Sequence, residues 1–378
     1  MKIDAVELRR ISIPMIAPFR VSFGVEHQRD ILLVRVIGSE AEGWGECVAM
    51  SRPLYSSEYT DGAEDVLRRH LLPRLFEAGD VSAADVAGIL RPLHGHPMAK
   101  GALEMAVLDA ELRAAGISLG EYLGAVRTEV DCGVSVGIHD DPAELVEVVG
   151  AFLAEGYRRI KLKIEPGHDV ESVRAVRERF PEILLQVDAN TAYTLDDAPR
   201  LAQLDEFDLL LIEQPLAEDD VRGHAELARL LRTPICLDES ITSARSAVDA
   251  IALGACSIVN IKAGRVGGYL EARRIHDVCA AEGVPVWCGG MLETGLGRAA
   301  NVALAALPNF TLPGDTSASG RYYAQDITEP FVLRDGRLEV PQGPGLGVQP
   351  IPAILDELTT SVTTERPRSA TSQGVVAQ

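Results

Sequence analysis

Five charged side chains recur along the middle of the chain at a nearly fixed interval, each closing a short apolar run. KLK ends at Lys163, QVD at Asp188, LIE at Glu213, CLD at Asp238 and NIK at Lys262, so the steps are 25, 25, 25 and 24 residues. That interval is about the length of one strand-plus-helix unit. The apolar runs 132–138, 157–164, 183–188, 209–213, 234–238, 257–262, 284–290 and a weaker 309–315 supply eight strand candidates. Amphipathic helical stretches lie between them. Strands that alternate with helices imply parallel βαβ units. Eight such units between residues 126 and 319 predict an α/β fold, a (β/α)8 TIM-type barrel whose last unit is weaker. A doubly wound open sheet is the structural alternative.

The flanks read differently. Residues 1–125 predict an α+β capping domain. Strands are expected at 3–13 and 30–38, and GSEAEG turns the chain into a third at 43–48. Helices are expected at 58–78, 82–92 and 97–115. In the last, Leu103, Ala106, Val107, Ala110 and Ala114 share one face, and Gly116 is a plausible stop. After residue 319 the alternation ends. The Asp335-Gly336 pair in FVLRDGRLEV predicts a hairpin, and segment 320–358 is expected to rejoin the capping domain. The stretch 359–378 is rich in Ser, Thr and Arg, with little to bury, and predicts a disordered tail.

Composition removes several function classes. Asp and Glu total 56 against 36 Lys and Arg, a net charge of -20. Such a surface repels phosphate backbones, so nucleic acid and anionic membranes are not expected partners. The first residues, MKIDAVELRR, lack the apolar stretch of a signal peptide. No apolar run approaches the ~20 residues of a membrane helix. The six cysteines form no C-x-x-C pair and lie in apolar segments, which reads as reduced, buried thiols. A cytoplasmic protein is expected.

Any one of the five strand-end charges could simply cap a strand as it meets solvent. All five together are harder to explain so. A sheet covered by helices is apolar on both faces, and burying unpaired charge costs several kcal/mol per group. Asp188, Glu213 and Asp238, on adjacent strands, would repel one another unless a cation sat between them. Three carboxylates suit Mg2+ or Mn2+, or another hard divalent ion. No His-rich or Cys-rich set argues for zinc. Lys161 and Lys163 lie two apart on one strand and so face the same side; a Lys pair on an exposed edge strand is the plainer alternative. Lys262 lies across the barrel. Nearby cations and desolvation lower a lysine pKa, so Lys161 is expected to depress Lys163. Arg265 would act likewise on Lys262, unless it is a surface charge. The pattern implies abstraction of a proton α to the carboxylate of a small-molecule substrate, with the enediolate stabilised by the cation. The opposite lysine then returns a proton, or stands by while a β-leaving group departs.

At these residues the chain resembles the enolase superfamily in its muconate-lactonizing subgroup. The signals are KLK, QVDAN, LIEQP, CLDES, NIKAGRVGG and CGGMLETGLGR. More narrowly it is similar to the o-succinylbenzoate synthase / N-succinylamino acid racemase family, from about residue 1 to 358. The resemblance implies metal ligands at Asp188, Glu213 and Asp238 and an acid/base pair at Lys163 and Lys262. It implies Ser135 and Asn190 near the substrate carboxylate. Phe19, Arg20, Met50 and Tyr55 of the capping domain would face the pocket, although each could be a core or loop residue. The loop 289–295, with Gly290, Met291 and Leu292, would bind a distal carboxylate through backbone N–H groups, or be a plain turn. Lys262-Ala263-Gly264 departs from the family's common Lys-Pro-Gly, and no histidine follows Trp287, unlike the mandelate racemase subgroup. The implied reactions are N-acylamino acid racemisation and the dehydration that forms o-succinylbenzoate in menaquinone biosynthesis, with a homo-oligomer expected. Rival readings are a dipeptide epimerase, a muconate-type cycloisomerase, a Schiff-base aldolase using Lys262, and a barrel that binds without chemistry.

Overall fold

The computed structural model describes residues 1–368, so the end of the expected tail, 369–378, lies outside the described residues. The capping sheet begins with a long antiparallel hairpin, β1 (Ile3–Val21) and β2 (Gly24–Gly38), followed by β3 (Glu42–Cys47) on the far side of β2. Val6, Leu8, Ile11 and Ile13 are buried and pair with Val36, Val34, Ile31 and Arg29. Both strands run past the expected ends. The register breaks between Pro14 and Phe19, where Pro14 and Pro18 cannot donate to a ladder, and pairing resumes with Phe19 opposite Glu26. The first helical stretch runs from Thr60 to Glu77 with a π turn at Leu67–Leu71, just before Pro73 removes an N–H. The helix Pro97–Ala115 lies close against β3. A Cβ on Gly43 would stand 2.2 Å from Ala106 O, and one on Gly45 2.0 Å from Ala102 O, so only glycine allows this approach.

β4 (Glu129–Asp131) leads into the barrel. Its parallel sheet comprises β5 (Gly133–Val136), β6 (Arg159–Lys163), β7 (Leu184–Asp188), β8 (Ile212–Glu213), β9 (Ile235–Leu237), β10 (Ile258–Ile261) and β11 (Val286–Cys288), in sequence order. The eighth expected strand is not a regular one. Pro308 just before the run 309–315 and Pro313 within it withdraw ladder donors. The segment still closes the ring through single bridges, Val286 to Phe310 on one edge and Cys132 to Gly314 on the other.

Two expectations for the C-terminal segment need correction. Asp335 and Gly336 do form a tight turn with positive φ, and Arg334 bridges Arg337. However, β12 (Arg337–Glu339) pairs with β4 beneath the barrel, not with the capping domain. The return to the cap comes later, where Leu346 N–H donates to Asp109 and Arg113 donates to Val348 O. The second correction concerns the tail. After the helix Pro352–Leu358, β13 (Thr359–Glu365) adds to the free edge of β1. Threonine suits a pleated, half-exposed edge, and the backbone bonds offered by β1 stand in for the apolar burial the segment lacks. No helix among the described residues is long and apolar enough to cross a membrane.

Candidate active site

All five stepped charges emerge at the C-terminal rim of the barrel. Lys163, Asp188 and Glu213 end β6, β7 and β8; Asp238 and Lys262 directly follow β9 and β10. Asp188, Glu213 and Asp238 are fully buried. Lys163 Nζ donates to Asp188 Oδ2 at 2.6 Å and to Asn190 Oδ1 at 2.6 Å. On the opposite side Lys262 Nζ stands 2.7 Å from Asp238 Oδ2 and donates to the Tyr55 hydroxyl at 3.0 Å. Three strands separate β6 from β10 in the sheet, so the two ammonium groups approach the rim from facing walls.

Lys161 points the same way as Lys163 but sits one layer deeper. Its ammonium lies 2.6 Å from Asp315, 3.0 Å from Glu213 and 3.3 Å from Asp188, over the Trp287 ring at 4.7 Å. Burial works against its charge, but Asp315, Glu213 and Asp188 outweigh burial and hold its pKa up. Its charge is therefore tied to three acids, which is not the arrangement expected for depressing Lys163. Arg265 also differs from expectation. It is buried, and its guanidinium donates to Asp238 Oδ1 at 2.8 Å and to Ile241 O at 2.7 Å. It thus braces the Asp238 carboxylate. The Lys262 pKa is not lowered: burial disfavours its charge, Asp238 outweighs burial, and the result lies well above the ordinary lysine value.

The acids divide by their neighbours. Burial pushes Asp188 and Asp238 up, but the cations beside them, Lys163 and Lys161 for the first and Lys262 and Arg265 for the second, hold both below the usual range. Glu213 is driven well above it, by burial and then by the Asp188 charge. Its Oε1 accepts from Asn260 at 2.6 Å. Glu239, missed in the sequence, is pushed up to about 7 by burial and by Asp238. Among the described residues no three His, Cys, Asp or Glu side chains converge as a ready cation cage, because each carboxylate turns to an ammonium or guanidinium. The donor chemistry nonetheless fits a hard divalent ion: three dry carboxylates on neighbouring strands, repelling one another and calling for positive charge.

Above these groups lies a cavity enclosing about 580 Å³ of empty space, its mouth included. Lys161, Lys163 and Lys262 reach it. So do Ser135, Asn190, Gly290, Met291, Leu292, Phe19, Met50 and Tyr55. Arg20 does not. Neighbouring strand residues face opposite ways; Phe19 and Val21 face the cavity, so Arg20 turns outward to Asp140 at 2.7 Å and Glu165 at 2.9 Å. The N–H groups of Gly289, Thr294 and Gly295 are used internally, by Ile261 O, Glu46 and Asp326. Those of Gly290, Met291 and Leu292 have no intramolecular acceptor among the described residues. Sequence reasoning also missed Asp315, which joins Lys161 to Arg159 (2.9 Å). The signal was present: Asp315 closes the eighth run as the others close theirs.

Residues 5–124 match the N-terminal domain of mandelate racemase / muconate lactonizing enzyme, and residues 144–354 match the enolase C-terminal domain-like family. The chain is 70% identical over 362 residues to an N-succinylamino acid racemase of Amycolatopsis, covering 96% of this chain and 98% of that protein. It is 48% identical over 349 residues to an o-succinylbenzoate synthase of Geobacillus kaustophilus, covering 92% and 93%. A solved enolase-superfamily member from Listeria innocua superposes with a TM-score of 0.93 at 38% identity, covering 97% and 99%. With both domains matched along nearly their whole length, the chain belongs to the enolase superfamily, as an enzyme that joins a muconate-lactonizing-type cap to an enolase-like barrel.

Proposed function

We propose that this enzyme moves the proton α to a substrate carboxylate, racemising N-succinylamino acids and dehydrating the β-hydroxy acid precursor of o-succinylbenzoate. The observation that carries the reading is the pair of ammonium groups, Lys163 and Lys262, on facing walls of one cavity with buried carboxylates between them. Each relative's name supports one of the two reactions.

The α-carbon would lie between the two lysines. The lysine on one face, as the free amine, takes the proton; the other, as ammonium, delivers one to the opposite face, and the configuration inverts. Lys262 can act as a base only when Asp238 is drawn away from it, because that carboxylate favours its charged form, and Lys163 has to release its hydrogen bond to Asp188. Asp188, Glu213 and Asp238 would hold a divalent cation, Mg2+ or Mn2+, which when bound supplies positive charge for the substrate carboxylate as its oxygens become anionic. Tyr55 and Asn190 hold the two amines in place. The free N–H groups of 290–292 suit the distal succinyl carboxylate. In the dehydration the lysine that took the α-proton gives it to the departing β-hydroxyl, so that water leaves as the Cα–Cβ double bond forms, while the second lysine remains a cationic neighbour.

The test is N-succinyl-phenylalanine in D2O with Mg2+, followed by NMR and polarimetry. Wild type should exchange the α-proton and lose optical activity. Lys163→Ala and Lys262→Ala should each abolish racemisation with an unchanged circular dichroism spectrum. Full racemisation by either variant would overturn the assignment.

A further inference from the structure

The cap side of the cavity is apolar except at the Tyr55 hydroxyl, which is engaged with Lys262, and at one carboxylate. Phe19 and Val21 come from the end of β1, Phe23 from the turn, and Met50 and Tyr55 from the segment after β3. Phe23 packs on Tyr55 with ring centroids 5.8 Å apart, and Phe19 meets Tyr322 edge-on at 6.1 Å. Among these surfaces the cavity is also lined by Glu26. Phe19 and Glu26 are direct partners in the antiparallel ladder, so they project on the same face of the hairpin.

The Glu26 carboxylate has no ion-pair or hydrogen-bond partner among the described residues. The two nearby arginines of the hairpin are engaged elsewhere, Arg20 with Asp140 and Glu165, and Arg29 with the carbonyls of Val48 and Ala49. Glu26 is half-buried at an apolar wall. Nothing in the proton-transfer chemistry uses it, and a bare carboxylate there repels the anionic ends of any N-succinyl substrate.

We propose that Glu26 selects, among N-acylamino acids, those whose side chain carries a terminal cation, so that lysine- and arginine-type substrates are favoured over uncharged chains of the same length. The inference rests on the proton-transfer reading above. A long side chain can lay its methylenes along Phe19, Phe23 and Tyr55 while its charged end reaches Glu26. Short or aromatic side chains would meet the apolar wall alone.

The experiment compares N-succinyl-lysine with N-succinyl-norleucine, which lacks the ammonium, and with N-succinyl-glutamate. kcat/KM for α-deuterium exchange is measured in wild type, Glu26→Gln and Glu26→Lys. The lysine-to-norleucine ratio should fall about fivefold in Glu26→Gln, the factor that one partly screened ion pair of about 1 kcal/mol gives. The same ratio in wild type should shrink at high salt, and Glu26→Lys should raise the glutamate-to-norleucine ratio. A lysine-to-norleucine ratio unchanged in Glu26→Gln overturns the proposal while leaving the proton-transfer reading intact. Absence of exchange on all three substrates in wild type would defeat both.

Discussion

Asp315 offers the sharpest test of how the rim is held together. Its carboxylate lies 2.6 Å from Lys161 and 2.9 Å from Arg159, and accepts from Ser135 Oγ at 3.2 Å. All these charges are buried: side-chain exposures are 7% for Asp315, 2% for Lys161 and 0% for Arg159. Asp315→Asn keeps the volume and removes only the charge, so no cavity term enters. Lys161 retains Glu213 and Asp188, but Arg159 is left with the Pro313 carbonyl and the face of Trp287. Breaking one side of a buried pair typically costs about 3–5 kcal/mol. Because Lys161 remains compensated, the lower end, about 3 kcal/mol, is expected. Urea unfolding followed by tryptophan fluorescence measures it, with Trp287 stacked against both cations as an internal reporter. Adding Arg159→Met should recover part of the loss, since the stranded guanidinium goes too, and the double variant should be more stable than the sum of the singles by about 1 kcal/mol or more. A loss under about 1 kcal/mol for Asp315→Asn, or strict additivity, would refute the view that these charges compensate one another.

Two further outcomes follow from the site and the interface. EDTA should stop α-deuterium exchange and Mg2+ or Mn2+ should restore it, whereas borohydride with a carbonyl substrate should leave no adduct on Lys262; exchange that survives chelation would favour a Schiff-base reading. Glu46 reaches from the cap to the start of the helix Gly295–Ala305, accepting from the Thr294 and Gly297 N–H groups. Burial pushes its carboxyl up to about 7 from an ordinary 4.5, in spite of the Thr294 hydroxyl bond. An acid raised on folding holds a proton that the unfolded chain releases, so stability should fall as pH rises from about 4.5 to about 7 and level off above. Glu46→Gln should flatten that slope in urea midpoints taken from pH 5 to 8; an equal slope in both proteins would disprove the linkage.

The barrel and its rim were legible because period and charge coincide there. A charge at a strand end is ambiguous alone, but five at one βα interval can be satisfied by a closed ring and by little else. What sequence could not give is direction within a strand and partnership within a cluster. The resemblance places Arg20 in the pocket together with Phe19, yet pleat alternation sends the two opposite ways, and only the register Phe19 to Glu26 reveals that the acid is the residue facing in. Arg265 was read as a cation acting on Lys262, but the backbone turn Ala263–Val266 folds it back under Asp238. β13 escaped because a threonine-rich segment has no apolar period, and its structure comes from the edge that β1 leaves open. Each miss is a property of a neighbour rather than of the residue itself. The same rule explains why Lys262 does not carry the lowered pKa expected of it: burial works against its charge, but the Asp238 carboxylate it touches outweighs burial. The balance between base and ion pair at Lys262 is therefore set at Asp238, and perturbing that acid should move the lysine as surely as changing the lysine itself.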